Sequence, residues 1–218
     1  MFHVKHIAPH ILLINPWITD FAAYNFWIKP LGLLRIASLL RRNGFRITLI
    51  DCLDYFAKTK RYGDGKFFKT KIEKPPPLKS IPRNFSWYGI PEEILLKRFS
   101  MLEEKPDLIG IASGVTYWYP GVFKAIELAK KVFGNVPIIL GGIYATLCPE
   151  HARKHSGADI VFEGSDESEV LKLISKLTGF ETGLCNFRNP QSTMRIIPPL
   201  TCILNSTMWL SRPQGGAH

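Results

Sequence analysis

The sequence predicts an α/β domain built on a five-stranded parallel sheet, strand order 2-1-3-4-5, with helices on both faces as a three-layer sandwich. Three observations carry this expectation. Short runs of strand length alternate with stretches of helical periodicity along most of the 218 residues. The runs are predominantly apolar, as strands buried on both faces are. Glycines follow the last two runs, where a chain leaving the carboxyl edge of a sheet must turn or come close to a ligand.

The first strand is expected at Ile11-Leu12-Leu13-Ile14, stopped by Asn15-Pro16. A helix follows over residues 31–43, where Leu31, Leu34, Ala37, Ser38 and Leu39 fall at helical spacing; Arg41, Arg42 and then Gly44 mark its end. Residues 45–50 form the second strand, ending at Asp51, and the connection from about 52 to 90 carries little regular structure beyond short turns. Pro91-Glu92-Glu93 opens a helix to about residue 104, with proline in the first turn and carboxylates at the positive end of the dipole. The third strand, residues 107–112, runs into Ser113-Gly114-Val115-Thr116, and Tyr119-Pro120 starts a helix to Phe133. The fourth strand, residues 136–140, leads into Gly141-Gly142-Ile143-Tyr144-Ala145-Thr146. A short helix over 149–155 precedes the fifth strand, residues 158–162, which ends at Glu163-Gly164. The last helix, 166–178, is amphipathic, with Val170, Leu171, Leu173, Ile174 and Leu177 apolar. Beyond Phe180 the periodicity fades, and Pro190, Pro198, Pro199, Gly215 and Gly216 punctuate an irregular tail over 181–218.

This length suits one well-buried α/β domain with an extension. No run of eighteen apolar residues is present, and the apolar stretch near the amino terminus is too short for a signal-peptide core, so a cytoplasmic protein without a membrane span is expected. The four cysteines, Cys52, Cys148, Cys185 and Cys202, form no CxxC pair and no zinc spacing, and are read as reduced thiols. The net charge of +10 is concentrated between Asp54 and Arg83, where nine basic residues face three acidic ones around Pro75-Pro76-Pro77. Tyr62, Phe67, Phe68, Phe85, Trp87 and Tyr88 are interleaved with this basic insertion. That mixture is compatible with stacking single-stranded nucleic acid, but no nucleic-acid motif accompanies it, and a solvated face or docking surface is the plainer reading.

Several nucleotide and catalytic signatures are missing. Asn15-Pro16-Trp17-Ile18-Thr19 stands where a dinucleotide fingerprint would follow the first strand. There is no GK[ST] cradle, no GxSxG elbow and no carboxylate pair closing the first strand. Glycines, small hydroxyls and amides line the expected rim instead, which suits holding a large amide-bearing ligand by backbone contacts better than acid–base chemistry.

The chain resembles the amino-terminal cobalamin-binding domain of B12-dependent radical SAM proteins. The resemblance runs through Leu13-Ile14-Asn15-Pro16, Pro30-Leu31-Gly32-Leu33-Leu34-Arg35-Ile36-Ala37, Asn43-Gly44-Phe45-Arg46 and Ile50-Asp51. It continues at Pro106-Asp107-Leu108-Ile109-Gly110-Ile111, at Leu140-Gly141-Gly142-Ile143-Tyr144-Ala145-Thr146 and at residues 158–167. It implies a flavodoxin-like (Rossmann-like) fold holding a corrinoid over the carboxyl edge of the sheet. Asn15, Pro16 and Trp17 would border the corrin together with Ser113, Gly114, Val115 and Thr116. Gly141, Gly142 and Ala145 would line a channel for the nucleotide tail, with Thr146 nearby, and Glu163 and Gly164 would close the rim. On this reading Gly142→Trp blocks the channel and leaves the fold intact.

Two departures from the family pattern bear on function. The D-x-H-x-x-G signature that supplies a cobalt-ligating histidine is absent, and His3, His6, His10, His151 and His155 all lie in other contexts, so no protein histidine ligand is expected. The CxxxCxxC motif of the radical SAM half, which would hold a [4Fe-4S] cluster beside S-adenosylmethionine, is absent too. The expectation is therefore a cobalamin-binding module over 1–180, with its basic insertion at about 54–90. The stretch 181–218 is read as a truncated interdomain linker, with the radical SAM domain lost or encoded separately. Such a module binds the corrinoid and does not by itself cleave S-adenosylmethionine; full-length relatives use the corrinoid for methyl transfer or other radical chemistry. Two rival readings remain: an interaction module without cofactor that docks a protein or nucleic acid through the basic insertion, and a small enzyme acting on a nucleotide-sugar at the same rim.

Overall fold

The computed structural model describes residues 8–25, 29–54, 67–181 and 194–196. His3, His6, Cys185, Cys202, the basic residues Lys58, Lys60, Arg61 and Lys66 and most of the expected tail lie outside them. In chain order the elements are β1 (His10–Asn15), β2 (Ile18–Asp20), α1 (Leu31–Arg42), β3 (Arg46–Asp51), β4 (Lys69–Lys71), β5 (Ser86–Tyr88), α2 (Glu92–Ser100), β6 (Leu108–Ser113), α3 (Tyr119–Phe133), β7 (Ile138–Gly142), α4 (Ile143–Leu147), α5 (Pro149–His155), β8 (Ile160–Val161), α6 (Glu167–Thr178) and β9 (Met194–Ile196).

The large sheet runs β8-β7-β6-β1-β3-β9 with every pairing parallel. Its first five strands have the expected 2-1-3-4-5 order. The strands are apolar on both faces because each face is covered. Leu12, Ile14, Ile109, Ile111, Ile138 and Leu140 pack under α2, α3 and α5, against side chains such as Leu95, Val122, Ile126 and Ala152. The alternate residues Ile11, Leu13, Ile47, Leu49, Leu108 and Ile139 pack against Leu33, Ala37 and Leu40 of α1 and Ile174 of α6. Side chains that alternate along a strand thus feed two separate cores. The ion pair Arg35–Glu167, 2.7 Å, links α1 to α6 on the second face.

Three features differ from the sequence expectation. The helix after Pro91 ends at Ser100 because the chain turns there to lay Leu102 back on the core. The insertion is not only loop: β2, β5 and β4 form a small antiparallel sheet. Its three-residue strands are too short to register as alternation, and aromatic contacts hold it. Trp17 stacks on Trp87 with ring centroids 5.7 Å apart, and Phe21 meets Phe85 at 5.1 Å. Finally, β9 adds a sixth strand beside β3, Ile47 opposite Met194, within the stretch expected to be irregular.

Candidate functional site

The strand register sets one row of residues at the carboxyl edge. Asn15 lies opposite Asp51, Ala112 lies opposite Gly141, and Ile14 is paired with Ile111 one step below. By alternation Asn15, Asp51, Ala112 and Gly141 share the face covered by α1 and α6, where Ala112 and Phe162 border the second core. Asn15 Nδ2 donates to Asp51 Oδ1 at 2.7 Å, and the Leu53 N–H donates to the same oxygen at 2.9 Å. Burial nevertheless holds the Asp51 carboxyl above the usual carboxylate range, against the opposing pull of these two hydrogen bonds and of Lys29.

The two glycines after β7 have different jobs. A Cβ added at Gly141 would meet nothing within 4 Å. At Gly142 the backbone has φ 89° and ψ −169°, a region almost reserved for glycine. A Cβ there would lie 2.5 Å from the Ser113 carbonyl oxygen and 3.0 Å from its nitrogen. Gly142 therefore lets β7 leave the sheet hard against β6, while Gly141 leaves open space at the rim. The expectation that Gly142→Trp spares the fold is corrected by this contact.

Thr146 ties the rim together. Its Oγ1 donates to the Gly142 carbonyl at 3.0 Å and accepts the Gly164 N–H at 3.1 Å. Gly164 itself has φ 101° and open space where a Cβ would sit. Gly142, Thr146 and Gly164, singled out separately in the sequence, thus form one hydrogen-bonded unit joining the exits of β7 and β8. After β6, Ser113 Oγ donates to the Val115 carbonyl at 2.9 Å, and Thr116 begins a single 3-10 turn through Trp118. Trp118 Nε1 donates to Asp20 Oδ2 at 3.2 Å, which fastens this loop, with exposed Gly114 at its tip, to β2.

Other expected rim residues turn elsewhere. Trp17 is 2% exposed, with its Nε1 donating to the Ile90 carbonyl at 2.5 Å. Pro16 is buried beside it, and Ala145 is fully buried in the first core. These side chains support the rim from beneath and do not line it. Glu163 is paired with Arg153 of α5.

What sequence reasoning missed is the apolar surface around the same edge. Leu31 at the start of α1, Tyr117 after β6, and Ile143 and Leu147 of α4 are 71%, 59%, 50% and 68% exposed. All four follow strand carboxyl ends or begin a helix that returns from that edge. The signal was present in Ile143 and Leu147, large aliphatics one helical turn apart directly after a double glycine.

The described histidines are engaged away from this row. His10 Nε2 pairs with Thr48 Oγ1 at 2.8 Å. His151 Nδ1 meets the Tyr144 hydroxyl at 2.6 Å, and its ring lies against those of Tyr119 and His155. Burial pushes the Tyr144 phenol up to about 12, so it stays protonated at ordinary pH. Burial likewise pushes the Cys52 thiol up, leaving it protonated. Among the described residues no group of three His, Cys, Asp or Glu is placed to hold a metal ion, and no helix is long and apolar enough to cross a membrane.

These features define a doubly wound α/β domain that presents bare backbone and exposed apolar side chains at the carboxyl edge, the edge where such sheets bind ligands. Residues 99–174, from the end of α2 into α6, match the family model described as B12 binding domain. The chain is also 26% identical over 172 residues to the cytidylyl-2-hydroxyethylphosphonate methyltransferase of Streptomyces wedmorensis. That match takes in 78% of the chain but spans only 28% of the methyltransferase. Among solved structures the chain is similar to a cobalamin-binding protein from Desulfitobacterium hafniense DCB-2, with a TM-score of 0.45 and 11% identity over 78% of this chain and 58% of that one.

Proposed function

We propose that the chain binds a cobalamin at the carboxyl edge of its large sheet. The supporting observation is the open backbone at Gly141, inside the segment that matches the B12-binding-domain model. A bulky, amide-rich ligand needs backbone approach without an intervening Cβ, and Gly141 and Gly164 both offer it. Exposed Leu31, Tyr117, Ile143 and Leu147 supply the apolar surface that a large ring would cover.

In this reading Asn15, the Ser113–Thr116 loop, Gly141, Thr146 and Gly164 hold the corrinoid, and Gly142 acts through the turn it permits. None of the described histidines, His10, His151 and His155, is read as a ligand to the cobalt. When bound, the corrinoid supplies a cobalt centre able to carry a methyl group. The chain's own residues bind it, orient it and shield part of it from water. The named activity of the Streptomyces relative supports methyl transfer as the chemistry the module serves. We assign the remaining chemistry to a radical SAM domain that binds S-adenosylmethionine and an iron–sulfur cluster, as a partner of this module.

The test is retention of hydroxocobalamin by the purified protein after desalting, read in the visible spectrum. Wild type retains the chromophore and Gly141→Leu loses it with unchanged circular dichroism. Retention by that variant at the wild-type level places the ligand elsewhere.

A further inference from the structure

A second candidate surface lies on the basic insertion, on residues other than those of the rim. An open groove of about 390 Å³ is bordered by Lys69 of β4, Lys74, Arg83 and Asn84 of the following loop, Phe21 and Tyr88. Three cations converge there, and Lys69 and Arg83 are solvent-exposed with no carboxylate partner among the described residues. Lys74 Nζ donates to the Ile81 carbonyl at 2.5 Å, which fixes the turn that presents Arg83 and leaves the ammonium two further protons to donate. Of the insertion's acidic residues, Glu73 pairs with Lys79 outside the groove. The carboxylate of Asp20, on the far strand of the same small sheet, accepts from the Phe21 N–H and from Trp118 Nε1, and its charge acts on Tyr88 at the groove.

Like charges held together in excess over counter-charges raise the local anion concentration, and the walls of a groove strengthen the effect. A guanidinium and two ammonium groups are the donors that phosphate-type oxygens take best. The volume is that of a small-molecule cleft and exceeds the needs of a lone ion. We propose that this groove binds the phosphate or phosphonate end of a small anionic ligand, with Lys69, Lys74 and Arg83 as its donors and Asn84 beside them. The small β2-β5-β4 sheet then has a purpose: it holds donors from two separate stretches of the insertion around one opening.

The experiment is a calorimetric titration of the full chain with inorganic pyrophosphate at low ionic strength. Saturable binding is expected, weakened about tenfold by Lys69→Gln and by Arg83→Gln, since each removes one charge-assisted contact. Lys79→Gln makes the same change in net charge outside the groove and leaves affinity unchanged. Both exposed-site variants keep the wild-type circular dichroism and the wild-type retention of hydroxocobalamin, which separates this site from the corrinoid edge. Absence of saturable binding, or equal weakening by Lys79→Gln, overturns the proposal. So does a single-stranded oligonucleotide that binds the wild type when pyrophosphate does not, because the surface would then serve a polymer.

Discussion

At Gly142 the chain needs a backbone conformation and a closeness to Ser113 that no residue with a side chain tolerates. Gly142→Ala is expected to lower folding stability by about 3 kcal/mol, combining strain at this φ/ψ with the clash against Ser113. Chemical denaturation measures this directly, and Gly141→Ala, whose Cβ enters open space, serves as the near-neutral comparison. Asp51 gives a pH-dependent expectation. Its folded-state pKa is raised by burial, so folding takes up a proton above the usual carboxylate range. Stability from this group is present at low pH and is lost as pH rises from the unfolded pKa through the folded one. Asp51→Asn, which keeps an oxygen for the Asn15 and Leu53 donors, should flatten that decline in denaturation midpoints measured across mildly acidic pH. An unchanged slope in the variant would assign the pH dependence to other groups. The double glycine was legible in the sequence as a sign of ligand approach, but the division of labour between the two positions was not. It depends on how close β6 lies to β7, which is a tertiary fact.

The elements differ in how plainly the sequence announced them. The five apolar runs and the helices α1, α3, α5 and α6 could be read because burial on both sheet faces and helical spacing leave strong local patterns. The small sheet could not. Lys69–Lys71 is wholly exposed, and its pairing with Ser86–Tyr88 is stabilised from elsewhere in the chain by Trp17 and Phe21. Trp87→Ala removes the stacking partner of Trp17, and a loss of about 3 kcal/mol is expected for deleting a ring of this size from a packed contact. Loss of near-ultraviolet circular dichroism together with a lower denaturation midpoint would report it, and a wild-type midpoint would show that the insertion contributes little to the fold. The helix α4 was missed because it is five residues long and begins directly at the glycine turn. Its position matters for function, since it brings Thr146 back to Gly142 and Gly164 and leaves Ile143 and Leu147 facing outward.

For the molecule as a whole, the parallel order β8-β7-β6-β1-β3 follows from right-handed crossovers between short buried strands. The candidate site was legible in part. Asn15, Ser113 to Thr116, Gly141, Gly142, Thr146 and Gly164 all fall on the strand exits, while Trp17 and Ala145 turn into the core because their apolar side chains complete it. The cationic groove is lined by residues other than those of this rim, so the molecule carries two chemically different surfaces: an apolar, glycine-lined rim and a cationic groove. The central claim is that the rim holds a corrinoid. Its most direct test mixes hydroxocobalamin with wild type and with Gly141→Leu, desalts both, and records the visible spectra beside the circular dichroism. The expected result is a corrinoid spectrum from the wild type and none from an equally folded Gly141→Leu; a colourless wild type, or a variant that retains as much corrinoid, would contradict it.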